Sequence, residues 1–418
     1  MASSEIPNLG DEIEDAVATL CRNSFFPDFV VQGPKYRKAG GLEKEAADIL
    51  VVFKGTALAI QVKTRIMPPT TAEEWPGVEE QRFLKVIEKG LGQFRALVEA
   101  INSPEGGRWE SSRGTPLDLR EGLPPRLFLI LVYALKLPDG SEPEFKVRCS
   151  KSCSADGPIP IHIFSLTEFG TLLRMADTFP DFVDYLQLRG DLQEQKLISK
   201  TADPIDVWAL FAFGADRVRT ALQGNTLIET DRLHSECLSE VEKLEEVEKP
   251  SYLVDWLINE LFAGSGRTLP VSDNIRSNAT EEPGSLAAYQ RVVPFLSQLN
   301  RRQRARLAEE FFIRIGRSQD GRDSFGSVKF KEHEEAYLFL CSMEPKKEWH
   351  VSLANLGLGL AHIINVPRVV CIATGPQGPL EDGCAAMIIE RTDSKPSDKI
   401  IAEARRWFGP PKEESNER

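Results

Sequence analysis

An acid, an amide and an amine stand among neighbours that are almost all apolar in the N-terminal third of the chain. They are Asp48, Gln61 and Lys63, set in the runs Ala46-Ala-Asp48-Ile-Leu-Val-Val-Phe53 and Ala57-Leu-Ala-Ile-Gln61-Val-Lys63. Buried polar groups cost free energy unless they are paired, so such a triplet calls for a use. Phosphodiester hydrolysis supplies one. A carboxylate and carbonyl oxygens bind Mg²⁺, the ion lowers the pKa of a bound water and offsets charge on the phosphate, and a lysine ammonium orients the nucleophile.

The hydrophobic pattern provides elements that would bring the three together. Asp48 to Phe53 and Leu58 to Thr64 are strand-like and joined by Lys54-Gly55-Thr56, a three-residue turn, which predicts an antiparallel hairpin. Side chains alternate along a strand, so Gln61 and Lys63 share one face while Ile60 and Val62 take the other. Asp48, at the start of the partner strand, then comes close to Gln61 and Lys63 at the open end. Upstream, Ile13, Ala16, Val17 and Leu20 recur at helical spacing. Downstream, apolar positions from Val78 to Ile101 predict a long helix, on which Lys89 and Gln93 lie one turn apart. Leu127 to Leu135 is a continuous apolar run, as in a strand buried on both faces.

Asp48 followed thirteen positions later by Gln61-Val62-Lys63 resembles the PD-(D/E)XK nuclease superfamily, and specifically its Mrr-like branch, where the second acid is commonly glutamine. The segment Gly10-Asp-Glu-Ile-Glu14-Asp-Ala-Val17 looks like that family's first helix, whose glutamate assists metal binding. Lys89 and Gln93 are similar to polar positions on the helix beside its cleft. The resemblance covers roughly residues 10 to 200. It implies an α/β fold with a restriction-endonuclease-like αβββαβ core, one early strand being faintly marked near Phe29 to Gln32.

By the same resemblance, Asp48, Gln61, Lys63 and Glu14 are the catalytic residues. Glu14, Asp48, Gln61 and the Val62 carbonyl hold Mg²⁺, with Mn²⁺ able to substitute, and Lys63 supports the attacking hydroxide. The departure from the commoner motif is Gln61, a neutral amide that supplies one oxygen and no charge. The reading is then a metal-dependent DNA endonuclease, by analogy a microbial restriction or anti-phage defence effector. The alternative is a catalytically inactive nuclease-fold scaffold that binds a partner protein or senses a ligand through its C-terminal half. Many such nucleases act as dimers, so a homo-oligomer is among the partners that the resemblance implies.

Each feature also has a plainer reading. The hairpin could be an edge with a solvated polar face. Glu14 belongs to a helix start where acids complement the dipole, as do Asp11, Glu12 and Asp15. Lys35, Arg37, Lys38 and Arg65 are, with Lys89 and Gln93, the candidates for nucleic-acid contact, yet charges in loops are mostly just solvated. Arg301, Arg302, Arg304 and Arg306 form the densest basic cluster, and a solvated helix face is preferred for them over DNA contact.

At 418 residues the chain exceeds one ordinary core. Its periodicities divide it into a nuclease-like region over 1–200, a helical region over 201–320, a C-terminal α/β module over 321–409 and a disordered tail over 410–418. The net charge of -12 argues against a protein that coats nucleic acid over its whole surface, while leaving room for a local basic cleft. Apolar runs fall well short of the roughly 20 residues of a membrane span. The start Met1-Ala-Ser-Ser-Glu5 lacks a signal peptide's features, and a cytoplasmic location without membrane partners is expected. Seven scattered cysteines do not form a secreted disulfide framework. Cys149 and Cys153 have no second Cys/His pair for zinc, and the five histidines form no ligand motif. Gly264 to Thr268 lacks the Gly-Lys-Ser/Thr ending of a phosphate loop.

Overall fold

The computed structural model describes residues 9–37, 43–66, 85, 88–90, 92–94, 97, 108–111, 116–118, 126–136, 149–154, 157–199, 201–263, 286–345, 348–391 and 395–408. It is a mixed α/β protein of two compact units, Met1–Val241 and Glu242–Arg418. This division is coarser than the blocks drawn from the sequence. Lys38 and residues 409–418 lie outside the described residues, as does the loop from Gly264 to Thr268.

The first unit opens with helix α1 (Leu9–Phe25) and strands β1 (Val30–Gln32), β2 (Lys35–Arg37), β3 (Glu43–Glu45), β4 (Ile49–Phe53) and β5 (Thr56–Ile66). Short strands β6 (Arg108–Glu110) and β7 (Pro116–Asp118) follow, then β8 (Arg126–Lys136), β9 (Cys149–Ser154) and β10 (Gly157–Ser165). Its main sheet has the order β1-β4-β5-β8-β10-β9. The β1/β4, β4/β5 and β9/β10 pairs are antiparallel, whereas β5/β8 and β8/β10 are parallel. Strands β2 and β3 form a separate hairpin between β1 and β4 in the chain.

The turn between β4 and β5 is tighter than expected. Phe53 pairs with Thr56, leaving a two-residue link, Lys54 and Gly55. Both have positive φ, 43° and 72°. That is the backbone demanded by the hairpin turn whose twist matches its strands, and glycine meets the demand without strain.

Alternation gives each face of the sheet its own core. Leu50, Val52, Ala57, Ala59, Leu129, Leu131 and Ile163 cluster with Phe94 and Leu97. These last two are among the helical residues 85, 88–90, 92–94 and 97, inside the span from Val78 to Ile101 where the sequence predicts a long helix; the rest of that span lies outside the described residues. A Cβ at Gly90 would lie 2.9 Å from Leu131 Cδ1, so the helix backbone approaches the sheet closely there. The opposite face is covered by α1, α2 (Leu166–Met175) and α3 (Phe179–Glu194). Contacts such as Phe25–Phe179, Phe53–Phe179 and Arg189 over Phe164 fasten that layer. The apolar periodicity from Leu166 to Leu188 reads as one helix, whereas the structure has two, because Thr178 caps a new start with Pro180 behind it.

The periodicity from Asp206 to Leu222 likewise reads as one helix. Asp206 to Leu222 divides at Gly214 into α4 (Pro204–Phe213) and α5 (Ala215–Gly224), followed by α6 (Leu233–Glu236) and α7 (Leu238–Glu248). In the second unit, α8 (Tyr252–Ala263) is followed by α9 (Leu286–Ser297) and α10 (Arg301–Ser318), two helices where the sequence periodicity from Leu286 to Ile315 reads as one. Asn300 and Gln303 close a reciprocal capping box that starts α10.

The second unit's sheet, β11-β12-β13-β14, comprises β11 (Ser324–Lys329), β12 (Ala336–Cys341), β13 (Arg368–Thr374) and β14 (Cys384–Glu390). β12 and β13 run parallel, with helix α11 (Trp349–Ile363) between them in the chain. The short helix α12 (Pro379–Asp382) precedes β14, and α13 (Asp398–Phe408) packs on α11 at Gly359 and Ala404. Among the described residues no helix is long and apolar enough to cross a membrane.

Candidate active site

The register of the β4/β5 hairpin decides where the polar triplet meets. Ile49 pairs with Ile60, so one step further out Asp48 stands opposite Gln61. Both side chains lie on the face where Phe94 and Leu97 pack, together with Lys63, because all three keep parity with the core residues Leu50, Val52, Ala57 and Ala59. Asp48 is 4% exposed and Gln61 1%. The Lys63 side chain, at 13%, is only slightly more open.

Hydrogen bonds fix the cluster. The Val62 backbone N–H donates to Asp48 Oδ2 at 2.5 Å. Lys63 Nζ donates to Asp48 Oδ2 at 3.2 Å, to Gln61 Oε1 at 3.2 Å and to the Val62 carbonyl at 2.7 Å. Three oxygens from three residues therefore surround one cationic position. From the other side, the Gly33 N–H donates to the Asp48 carbonyl at 2.8 Å. The site lies toward the carboxyl end of β5, which runs parallel to β8, and such strand ends are where open α/β sheets bind ligands.

Glu14 approaches from α1. It is half-buried, and its pKa is pushed up from 4.5 to about 7, first by burial, then by the Asp48 and Glu45 charges, with Lys63 opposing. Glu14 thus shares an electrostatic field with the hairpin site. Glu45 shares it too, and the sequence had given this residue no role. Its residue is exposed at the surface, yet Oε1 lies 2.9 Å from where a Cβ on Gly33 would sit. Partial desolvation there, and then Asp48, raise its pKa, while Lys35 and Lys63 lower it. Gly33 has φ of +57°, so both its conformation and the carboxylate above it favour glycine.

No family model, no curated protein and no solved structure matches this chain.

Among the described residues, no three His, Cys, Asp or Glu side chains converge to hold an ion. The convergence found is of one carboxylate, one amide and one backbone carbonyl, all oxygen donors of the kind hard cations prefer. Lys63 shows that a cation fits among them. The residues present therefore suit a divalent ion in composition, with Glu14 as the nearby second acid.

Of the nucleic-acid candidates, Lys38 lies outside the described residues and the others belong to β2, β5 and the helical residues 88–90 and 92–94. Lys35 is exposed on β2 and pairs loosely with Glu43 across the hairpin at 3.9 Å. Arg37 and Arg65 have described backbones on β2 and β5, and their side chains lie outside the described residues. Lys89 is exposed and Gln93 half-buried on the covering helix.

The arginine cluster on α10 needs correction. Arg301 and Arg304 do not belong to a solvated face. Both donate to Asp255, Arg304 Nη1 at 2.5 Å from Oδ1, and Arg301 also reaches Ser251 Oγ at 2.9 Å. Arg304 further donates to the Leu299 and Ser297 carbonyls. Arg302 and Arg306 alone stay exposed, in loose pairs with Glu248 and Glu309.

Proposed function

We propose that the first unit is a metal-dependent endonuclease of the PD-(D/E)XK type, Mrr-like with glutamine in the second acidic position, acting on DNA. One observation carries the reading: Asp48, Gln61 and the Val62 carbonyl turn their oxygens toward a single cationic position on a covered sheet face. The element order supports it. Helix α1, antiparallel β1, β4 and β5, the 85–97 helical residues and parallel β8 follow the αβββαβ order, with the β2/β3 hairpin as an insertion.

In this reading Asp48, Gln61 and the Val62 carbonyl would hold Mg²⁺ or Mn²⁺, and Glu14 would complete the acidic side. When bound, the ion supplies Lewis acidity toward the phosphate and neutralises charge that builds up on it. The chain's own groups do the rest. The Val62 N–H fixes Asp48, so the carboxylate needs no rearrangement before it binds. Lys63 brings a positive charge to the attacking nucleophile and the phosphate. In the same reading Lys35, Arg37, Lys38, Arg65, Lys89 and Gln93 contact the nucleic-acid backbone, and the product carries a 5′-phosphate.

The test is cleavage of plasmid and single-stranded DNA with Mg²⁺ or Mn²⁺, comparing wild type with Asp48→Ala and Lys63→Ala at matched purity. Metal-dependent cutting that disappears in both variants supports the nuclease. No cutting with either metal, and no metal heat by calorimetry, sinks it.

A second reading has its own observation. The Lys63 ammonium already satisfies the three oxygens, which also suits a nuclease-fold scaffold that no longer needs an ion. Such a scaffold would act through a partner or ligand bound by the second unit. The cleavage and calorimetry above separate the two.

A further inference from the structure

Lys63 is held in an unusual way for a residue whose task is to meet substrate. An ammonium has three protons, and here three acceptors take them: Asp48 Oδ2 at 3.2 Å, Gln61 Oε1 at 3.2 Å and the Val62 carbonyl at 2.7 Å. The side chain is 13% exposed and Asp48 4%, so water competes little for these contacts. The oxygens that would bind a metal are the same oxygens that bind the lysine.

We propose that Lys63 is the resident cation of this cage and that a divalent ion binds by exchange with it. The inference rests on the nuclease reading and adds to it how the site is kept before metal arrives. A buried carboxylate without a counter-charge is strongly destabilising, and the Lys63 ammonium supplies one to Asp48 in the metal-free protein. Mg²⁺ sits about 2.1 Å from its oxygen ligands and demands near-octahedral geometry. An ion held by the same three oxygens would need the space that Nζ, between 2.7 and 3.2 Å from each, fills now. Two cations cannot share so small and poorly screened a space, so the ammonium must swing out on its four-carbon stem. Once displaced it is free to meet an anionic partner. Lysine in this site then has two positions and two tasks, plugging the cage and serving the reaction.

Two measurements on the full chain test the exchange. Mg²⁺ binding is followed by calorimetry for wild type, Lys63→Met and Lys63→Gln, with circular dichroism to check that each variant is folded. Removing the competing ammonium should tighten Mg²⁺ binding by about tenfold or more, the scale of a lost charge-assisted contact. In parallel, nitrogen NMR of ¹⁵N-lysine-labelled wild type should show one slowly exchanging, hydrogen-bonded ammonium that disappears as Mg²⁺ saturates.

Equal or weaker binding by the variants overturns the exchange while leaving a metal site in place. A protected ammonium that persists at saturating Mg²⁺ does so too, since tightening would then come from net charge alone. If wild type and variants all fail to bind Mg²⁺ and DNA is not cut, the nuclease reading falls and takes the exchange with it. Should both variants misfold, the wild-type NMR titration decides.

Discussion

Asp48 is fastened to the neighbouring strand by Val62, whose backbone N–H donates to its Oδ2 at 2.5 Å. Main chain rather than a mobile side chain thus sets the acid's position, and the carbonyl of the same Val62 faces Lys63. One residue of β5 both aims the carboxylate and contributes an oxygen beside it.

Gln61 is where the charge of this site can be changed with least change of shape. Gln61→Glu keeps the length and the Oε1 position while adding a negative charge to the cage. Mg²⁺ binding followed by calorimetry should tighten, and the Mg²⁺ needed for half-maximal cleavage should fall. Weaker binding would mean that Gln61 does not face the ion.

Glu14 gives the first unit a distinctive pH response. Its pKa in the fold, about 7, lies above the ordinary 4.5, so the folded state holds this proton more tightly than the unfolded chain. The stabilising contribution is fully present below pH 4.5 and is lost as pH rises through 7. Because the group is half-exposed, the loss is screened to about 1–2 kcal/mol. Glu14→Gln should therefore raise the first unit's melting temperature at pH 8 and leave it nearly unchanged at pH 4.5. An equal shift at both pH values would mean that the effect does not come from the ionisation of Glu14.

His350 should act with the opposite sign in the second unit. It is 1% exposed, neither ring nitrogen has a hydrogen-bond partner among the described residues, and burial pushes its pKa down from 6.5 to about 4. The unfolded chain takes up the proton first, so stability is lost as pH falls from 6.5 toward 4, by roughly 2–3 kcal/mol. Urea unfolding of His350→Phe at pH 7 and pH 4.5 should show a smaller acid loss than wild type. An identical loss would point to another group.

The arginines of α10 should separate cleanly by environment. Arg304→Ala removes a 1%-exposed guanidinium from Asp255 and two carbonyls, and should cost about 3–5 kcal/mol in urea unfolding. Arg302→Ala, at an exposed and loosely paired position, should stay within about 0.5 kcal/mol. Similar values for the two would contradict the pairing of buried Arg304 with Asp255.

These cases also show which features could be read from the sequence. The β4/β5 hairpin and its polar triplet were legible because strand alternation and a Lys-Gly turn are local signals, and parity alone puts residues 61 and 63 on one face. Glu45 was not, since Glu43-Lys44-Glu45 has no apolar alternation and becomes β3 only by pairing with β2. The roles of Arg301 and Arg304 depend on Asp255, more than forty residues away in sequence. Charge type reveals no such partner. The break between α9 and α10 was present as Asn300 and Gln303, but uninterrupted apolar periodicity masked the capping box. Strand β11, Ser-Phe-Gly-Ser-Val-Lys, is too polar and glycine-weakened to announce itself and forms against β12.

The two-residue link at Lys54 and Gly55 governs which genetic changes this chain can absorb. Gln61 begins about 17 Å along the strand from it, far from any direct contact with the turn. Yet a single extra codon there, taken up by sliding β5 one place, would turn Gln61 and Lys63 to the α1 side and bring Ile60 and Val62 round in their stead. Substitutions at these two positions are graded in effect, whereas a change in their number is all-or-none. Among descendants of this gene, the length of that turn should vary less than its letters.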